Sequence, residues 1–367
     1  MSSSEGFWHG RKVLVTGHTG FKGAWLSHWL LRAGSDVVGY SLPAPTEPSL
    51  FDLTRLCEHV EHHEGDVRDL EALRHCVGSV EPEIVFHMAA QTLVLESYRD
   101  PVGTFDTNVM GAVNLLQVLR SSTALRACVV VTSDKCYENR ESGRAYREGD
   151  PLGGSDPYSA SKGCAELVTA AFRRSFFGEL SARVASARAG NVIGGGDWAH
   201  DRIVPDIVRA LTGKTALELR RPDAVRPWQH VLEPISGYIR LAEDLVERPD
   251  LEDEWNFGPD HQETWRVRDV VSAFMEAWGQ VASTDIRLVS SPFPEATFLA
   301  LDSSRARSRL GWAPRWNVED AIFRTVQWYH AFYREEKDAQ ALVHADLEAY
   351  DAAAPSRQAD SLERSGA

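Results

Sequence analysis

Tyr158 and Lys162 are spaced so that a helix would set a phenol and an ammonium on one face. A free phenol, with pKa about 10, is a poor base, and a neighbouring ammonium favours its ionised form. Upstream, Ser133, Asp134 and Lys135 bring a hydroxyl, a carboxylate and an amine together behind the apolar run Val129-Val130-Val131. Asp134 would supply a proton and Lys135 would take one. Unperturbed pKa values near 3.9 and 10.4 suit neither task at neutral pH, so burial must raise the first and lower the second. Each group also has a plain reading. Adjacent Asp and Lys usually form a surface ion pair worth under about 1 kcal/mol, and most Tyr-x-x-x-Lys pairs are a ring packed on a lysine stem. What favours chemistry is the third motif, Thr16-Gly17-His18-Thr19-Gly20-Phe21-Lys22-Gly23. It lies between the apolar Lys12-Val13-Leu14-Val15 and the amphipathic Ala24–Leu30. Strand, glycine turn and helix start are what a dinucleotide pyrophosphate needs, because the backbone approaches closely and unpaired N–H groups face the anion.

These residues must be held by an alternating α/β framework. Strands are expected at 12–16, 36–40, 58–63, 83–87, 127–132 and 182–188, and helices at 21–33, 69–77, 98–121 and 157–178. Such alternation predicts a Rossmann-type, doubly wound parallel sheet with ligands at the carboxyl ends of its strands. Gly194-Gly195-Gly196-Asp197-Trp198 marks a change to loop chemistry. Residues 1–190 are therefore assigned to a dinucleotide-binding domain and 191–336 mainly to a smaller substrate domain. The two are expected to interleave, with returns to the first near 231–258. The tail, 337–367, is expected to begin helical and to be mobile from Pro355 onward.

Other candidates follow the strand ends. Asp66 and Val67 come after the third strand; Asp66 could take a hydrogen bond from an adenine amine or cap the helix that begins near Asp69. The usual acid after the second strand, which would hold the ribose hydroxyls, is missing from Val38-Gly39-Tyr40-Ser41-Leu42-Pro43, and Ser41 is the substitute. This leaves NAD versus NADP less determined than the fold. Ala89, Ala90 and Gln91 would let a cofactor lie against the backbone, whereas His87 reads as a packed residue rather than a catalyst. Asn108 falls mid-helix, where a side-chain amide is unfavourable unless it bonds something specific. Arg188, Arg202, Arg221, Arg226 and His230 cluster in the substrate region, with Asn191 as a further phosphate or sugar contact. Arg226-Pro227-Trp228 would pair a phosphate-binding fork with an aromatic face. The plain alternative for any one arginine is solvated charge.

The 367 residues carry a formal charge of −14, which argues against general nucleic-acid binding but not against a nucleotide ligand. Five cysteines without a Cys-x-x-Cys pair suggest neither a disulfide framework nor a zinc site, and fit a reducing cytoplasm. Met1–Glu5 lacks the features of a signal peptide, and no apolar run has membrane-spanning length.

Taken together, the motifs resemble the extended short-chain dehydrogenase/reductase family, in its nucleotide-sugar group, over roughly residues 7–335. The glycine turn, Gly39-Tyr40-Ser41-Leu42 in place of the acid, Ser133-Asp134-Lys135-Cys136-Tyr137-Glu138-Asn139, Ala189–Trp198 and Arg226–Val231 carry the likeness. They are similar to those of the subgroup of 4,6-dehydratases that takes CDP-glucose; dTDP-glucose dehydratases have Asp-Glu where this chain has Asp134-Lys135. The resemblance implies NAD as cofactor and a redox-neutral loss of water that leaves a 4-keto-6-deoxy sugar. It implies catalytic roles for Ser133, Asp134, Lys135, Tyr158 and Lys162. Cofactor contacts would come from Gly17, His18, Thr19, Gly20, Phe21, Lys22, Gly23, Ser41, Asp66, Val67, Ala89, Ala90, Gln91 and Asn108, besides Tyr158 and Lys162. Substrate contacts would come from Gln91, Asn191, Arg202, Arg226 and His230. It also implies a homodimer, or a dimer of dimers, packed through the helices at 98–121 and 157–178. A dehydratase of another nucleotide sugar and an epimerase or reductase on the same scaffold are the alternatives. An epimerase has no use for the acid–base pair at 134 and 135, and a non-catalytic dinucleotide sensor typically loses the tyrosine or the lysine.

Overall fold

The computed structural model describes residues 3–353, apart from 179, 214, 261–263, 280–284, 291–292 and 294. Pro355–Ala367, expected to be mobile, lies outside the described residues. Six strands come from the first half of the chain: β1 (Lys12–Thr16), β2 (Asp36–Ser41), β3 (Glu61–Glu64), β4 (Ile84–His87), β5 (Ala127–Val131) and β6 (Arg183–Ala189). A seventh, Glu254–Phe257, pairs with β6. The order is Glu254–Phe257, β6, β5, β4, β1, β2, β3, and all neighbours are parallel. Strands β4 and β5 are buried throughout, as a sheet covered on both faces requires. Helix Phe21–Arg32 packs against β1 and β2 and Leu232–Glu247 against β5 and β6, while Leu70–Val80 and Gly111–Leu119 share one apolar cluster with residues of β1, β2, β4 and β5.

The helix expected over 98–121 is broken into pieces for visible reasons. Pro101 cannot donate to a preceding turn, and the Asp100 carboxylate caps the new start by accepting from the Gly103 N–H at 2.8 Å. Asp106–Met110 then widens into a π turn before Gly111–Leu119 resumes. The helix expected over 157–178 runs Pro157–Phe172 and ends in a second π turn, Arg173–Phe177. Within the tail, Ala339–Ala352 is helical. Its Tyr350 hydroxyl donates to the buried Glu233 carboxylate at 2.7 Å.

Candidate active site

The carboxyl ends of β1, β2, β4, β5 and β6 open on one cavity of about 820 Å3. The glycine turn forms its floor. Gly17 has φ +79, and a Cβ there would sit 2.7 Å from the Ala89 nitrogen; one on Gly23 would overlap the Gly17 carbonyl. The helix from Phe21 begins without a side-chain cap, so its first N–H groups face an approaching anion. Thr19 donates to the Leu42 carbonyl at 2.9 Å and meets the Ser41 hydroxyl at 2.8 Å, which fixes the end of β2 against the turn. Gly17, Thr19, Gly20, Phe21, Lys22, Gly23, Ser41, Asp66, Val67, Ala89, Ala90 and Gln91 all line the cavity. A backbone cradle without Cβ atoms, an open helix start and hydroxyls beyond them fit a dinucleotide.

The reactive groups stand above this floor. Ser133 caps a single 3-10 turn, Asp134–Cys136, and its hydroxyl donates to Asp134 Oδ1 at 2.9 Å. Asp134 Oδ2 is buried without a hydrogen-bond partner among the described residues. Burial raises the Asp134 carboxyl above its ordinary value, with Lys135 acting against the rise. Burial and the Arg226 charge lower the Lys135 amine. Both shifts have the direction that proton donation by Asp134 and acceptance by Lys135 require. Tyr158 and Lys162 line the same cavity from the buried face of their helix. Here one expectation changes. Burial pushes the phenol up to about 12, the nearby Ser133 hydroxyl opposes it, and burial takes the Lys162 ammonium down to about 8. Burial therefore makes the phenol harder to ionise than a free one, the opposite of the help expected from the lysine. Lys22 also faces the cavity, and burial with the Arg202 and Lys162 charges brings it down to about 7.

Three assigned residues do not line the cavity. His18 turns beneath the sheet end, where its Nε2 meets His62 Nδ1 at 2.8 Å and its ring edges onto Phe51. Asn108 is buried behind the site. Its Oδ1 accepts from the Gln91 N–H at 2.8 Å, and its Nδ2 donates to the Gln91 carbonyl and to the Ser161 hydroxyl. It thus ties the loop after β4 to the Tyr158 helix, and the π turn delivers it there. His230 is fully buried between Trp25 and Trp316, and its Nδ1 accepts from the Leu232 N–H at 3.3 Å.

Arg188, read with the substrate arginines, is instead a core residue. It pairs with Glu166 at 2.7 Å and donates to the Tyr137 hydroxyl and the Glu148 carbonyl. His87 is packed, 2.7 Å from the Thr16 hydroxyl. Asp66 does not cap the helix, because Asp69 does; Asp66 holds the Arg68 guanidinium. Asn191, Arg202, Arg221 and Arg226 line the cavity. Arg202 donates to Thr92 and Asp197, and Arg226 donates to the Val225 and Ala296 carbonyls. Glu218 and Leu219, on the short strand Leu217–Leu219, line it as well. The sequence signals them only faintly, because three residues give too little periodicity, although a carboxylate between two leucines is itself an alternation signal.

The GDP-mannose 4,6 dehydratase family matches residues 14–325. A CDP-glucose 4,6-dehydratase of Salmonella typhimurium is 50% identical over 336 residues, covering 90% of this chain and 93% of that protein. Among solved structures, a dTDP-glucose 4,6-dehydratase of Streptomyces venezuelae with NAD bound superposes with TM-score 0.76 at 24% identity, covering 89% of this chain and 100% of that one. A UDP-glucose 4-epimerase of Thermus thermophilus in complex with NAD gives 0.75 at 25% identity, covering 87% and 99%. The first of these structures speaks for the fold alone.

Proposed function

The chain belongs to the GDP-mannose 4,6 dehydratase family, and from that premise we propose that it is an NAD-dependent lyase, a 4,6-dehydratase of CDP-glucose. The observation that carries this reading is the Asp134–Lys135 pair, set in the same cavity as Tyr158 and Lys162 and shifted in opposite directions by burial. The Tyr158 oxygen takes the proton of the sugar C4 hydroxyl, oriented by Ser133. NAD, which the glycine turn and Ser41 would hold, would supply reversible hydride acceptance and a positive charge that acts against the burial of the phenol. Once C4 is a ketone, the C5 proton is acidic and passes to the Lys135 amine. Asp134 gives its proton to the C6 hydroxyl, which leaves as water. Lys135 returns a proton to C5, so the product is a 4-keto-6-deoxy sugar with no net oxidation. Gln91, Asn191, Arg202 and Arg226 are read as substrate contacts, and the glycine turn, Ser41 and Asp66 as the cofactor side.

A homodimer belongs to the same reading. Val102, Phe105 and Met110, on the broken helix, and Leu167, on the Tyr158 helix, leave a large apolar area exposed, with Val102 at 79% and Leu167 at 59%. Those two segments pack side by side, which supports a shared face for a second copy.

Incubating the protein with CDP-glucose and NAD and weighing the sugar nucleotide tests the function. Loss of one water with no accumulated NADH is expected. Asp134→Asn with Lys135→Met should keep the cofactor bound and block release of the keto sugar. Undiminished dehydration by that double variant, or an unchanged mass with inverted stereochemistry, would overturn the assignment.

A further inference from the structure

Besides the glycine floor and the reactive groups, the cavity has a further part. That part is lined by Glu218 and Leu219, on the short strand Leu217–Leu219, with Ala224 and Val267. In a nucleotide-sugar site, whose sugar sits at the reactive groups and whose dinucleotide lies on the glycine floor, this remaining part receives the substrate's nucleoside. Leu219, Ala224, Trp228 and Val267 give it an apolar part, as a flat base requires, among the charged Arg220, Arg221, Arg226 and Glu295. Glu218 is the exposed residue between the buried Leu217 and Leu219, which are 1% and 4% exposed.

Glu218 is set apart by its lack of a partner. Among the other carboxylates lining the cavity, Asp66 is paired with Arg68, Glu96 with Arg99, Asp197 with Arg202, Asp201 with Arg220 and Asp206 with Arg209; Glu295 lies 3.9 Å from Arg220. Asp134 belongs to the chemistry. Glu218 makes no hydrogen bond or ion pair among the described residues, and it stands exposed at the cavity wall. A carboxylate accepts hydrogen bonds and cannot donate them when ionised. It therefore matches an exocyclic amine and repels a carbonyl oxygen at the same position.

We propose that Glu218 selects the nucleobase, its carboxylate accepting a hydrogen bond from the exocyclic amine of a 4-aminopyrimidine and rejecting the 4-carbonyl of uracil or thymine. The inference rests on the reading of the cavity as a nucleotide-sugar site. A charged acceptor left without its donor, or facing a carbonyl, changes selectivity by about 10- to 100-fold.

The test measures, on the full chain, calorimetric Kd values for CDP and UDP and kcat/KM for CDP-glucose and UDP-glucose, in wild type, Glu218→Ala and Glu218→Gln. Wild type should prefer the cytidine ligands. Glu218→Ala should lose that preference by weakening CDP rather than UDP, and Glu218→Gln should keep part of it, because its amide carbonyl still accepts. An unchanged CDP-to-UDP ratio in Glu218→Ala, or equal weakening of both nucleotides, overturns the proposal. The two readings fail separately. A cytidine preference erased by Glu218→Ala, in a protein that removes no water from CDP-glucose, upholds Glu218 and removes the dehydratase. Dehydration with an undisturbed preference does the reverse.

Discussion

Replacing Glu166 should unsettle the protein far more than its distance from the reacting atoms suggests. Its carboxylate accepts from Arg188 at 2.7 Å, from the Ser186 hydroxyl at 2.7 Å and from the Thr132 hydroxyl. Both ion-pair partners are 2% exposed. Burial alone would raise the Glu166 carboxyl, but the Arg188 charge and three hydrogen bonds outweigh it, so the net shift is downward. Glu166→Leu leaves a guanidinium buried and unpaired, which costs about 3–5 kcal/mol. For a chain of this size that lowers the melting temperature on the order of 10 °C. Adding Arg188→Met removes the stranded charge and should restore part of the loss. Restoration stays incomplete because the Glu148 carbonyl and the two hydroxyls lose partners, at about 1 kcal/mol each. Glu166 lies one turn beyond Lys162 on the same helix, so activity should fall with stability in the single variant and recover with it in the double. Thermal and urea unfolding of wild type, both single variants and the double variant complete the cycle. A Glu166→Leu protein melting within about 2 °C of wild type would refute the reasoning, as would a double variant less stable than either single one.

Two further outcomes are expected. Val102→Asp with Met110→Asp places charge on the exposed apolar face, and sedimentation should show dimers giving way to monomers; unaltered assembly would exclude this face. His230 is buried and neutral, pushed down to about 3, first by burial and then by Arg324. A base whose folded pKa is lowered takes up its proton on unfolding, so its contribution is present above pH 6.5 and lost as pH falls toward 3. His230→Phe should therefore reduce the loss of stability between pH 6.5 and 5.5 by about 1 kcal/mol; an identical pH slope would show that the ring is protonated in the folded state.

The strands and the glycine turn were legible because period, turn chemistry and strand-end position agree there at short range. All six expected strands appear, with ends moved by up to three residues at β3. The pieces that sequence could not supply depend on distant partners. Arg188 looks like a ligand arginine until the fold sets Glu166 beside it, and His18 sits inside the glycine motif yet finds His62 across β2 and β3. Asn108 stands out in the sequence as a costly mid-helix amide, but its purpose depends on the π turn and the Gln91 backbone. Glu218 was invisible for the opposite reason, since it has no partner at all among the described residues.

The sheet order bears on how the chain folds as it is made. Synthesis delivers the N-terminal part first, and β1 to β6 are complete once Ala189 has emerged. Strand β6 then has β5 on one side and nothing on the other until Glu254–Phe257 arrives. The intervening stretch, about 65 residues, takes roughly 3–13 s to synthesise. Through that interval the nascent chain presents a row of open backbone donors and acceptors, the kind of edge on which neighbouring chains pair wrongly. The yield of correctly folded protein should thus be sensitive to the pace of translation between Gly190 and Phe257.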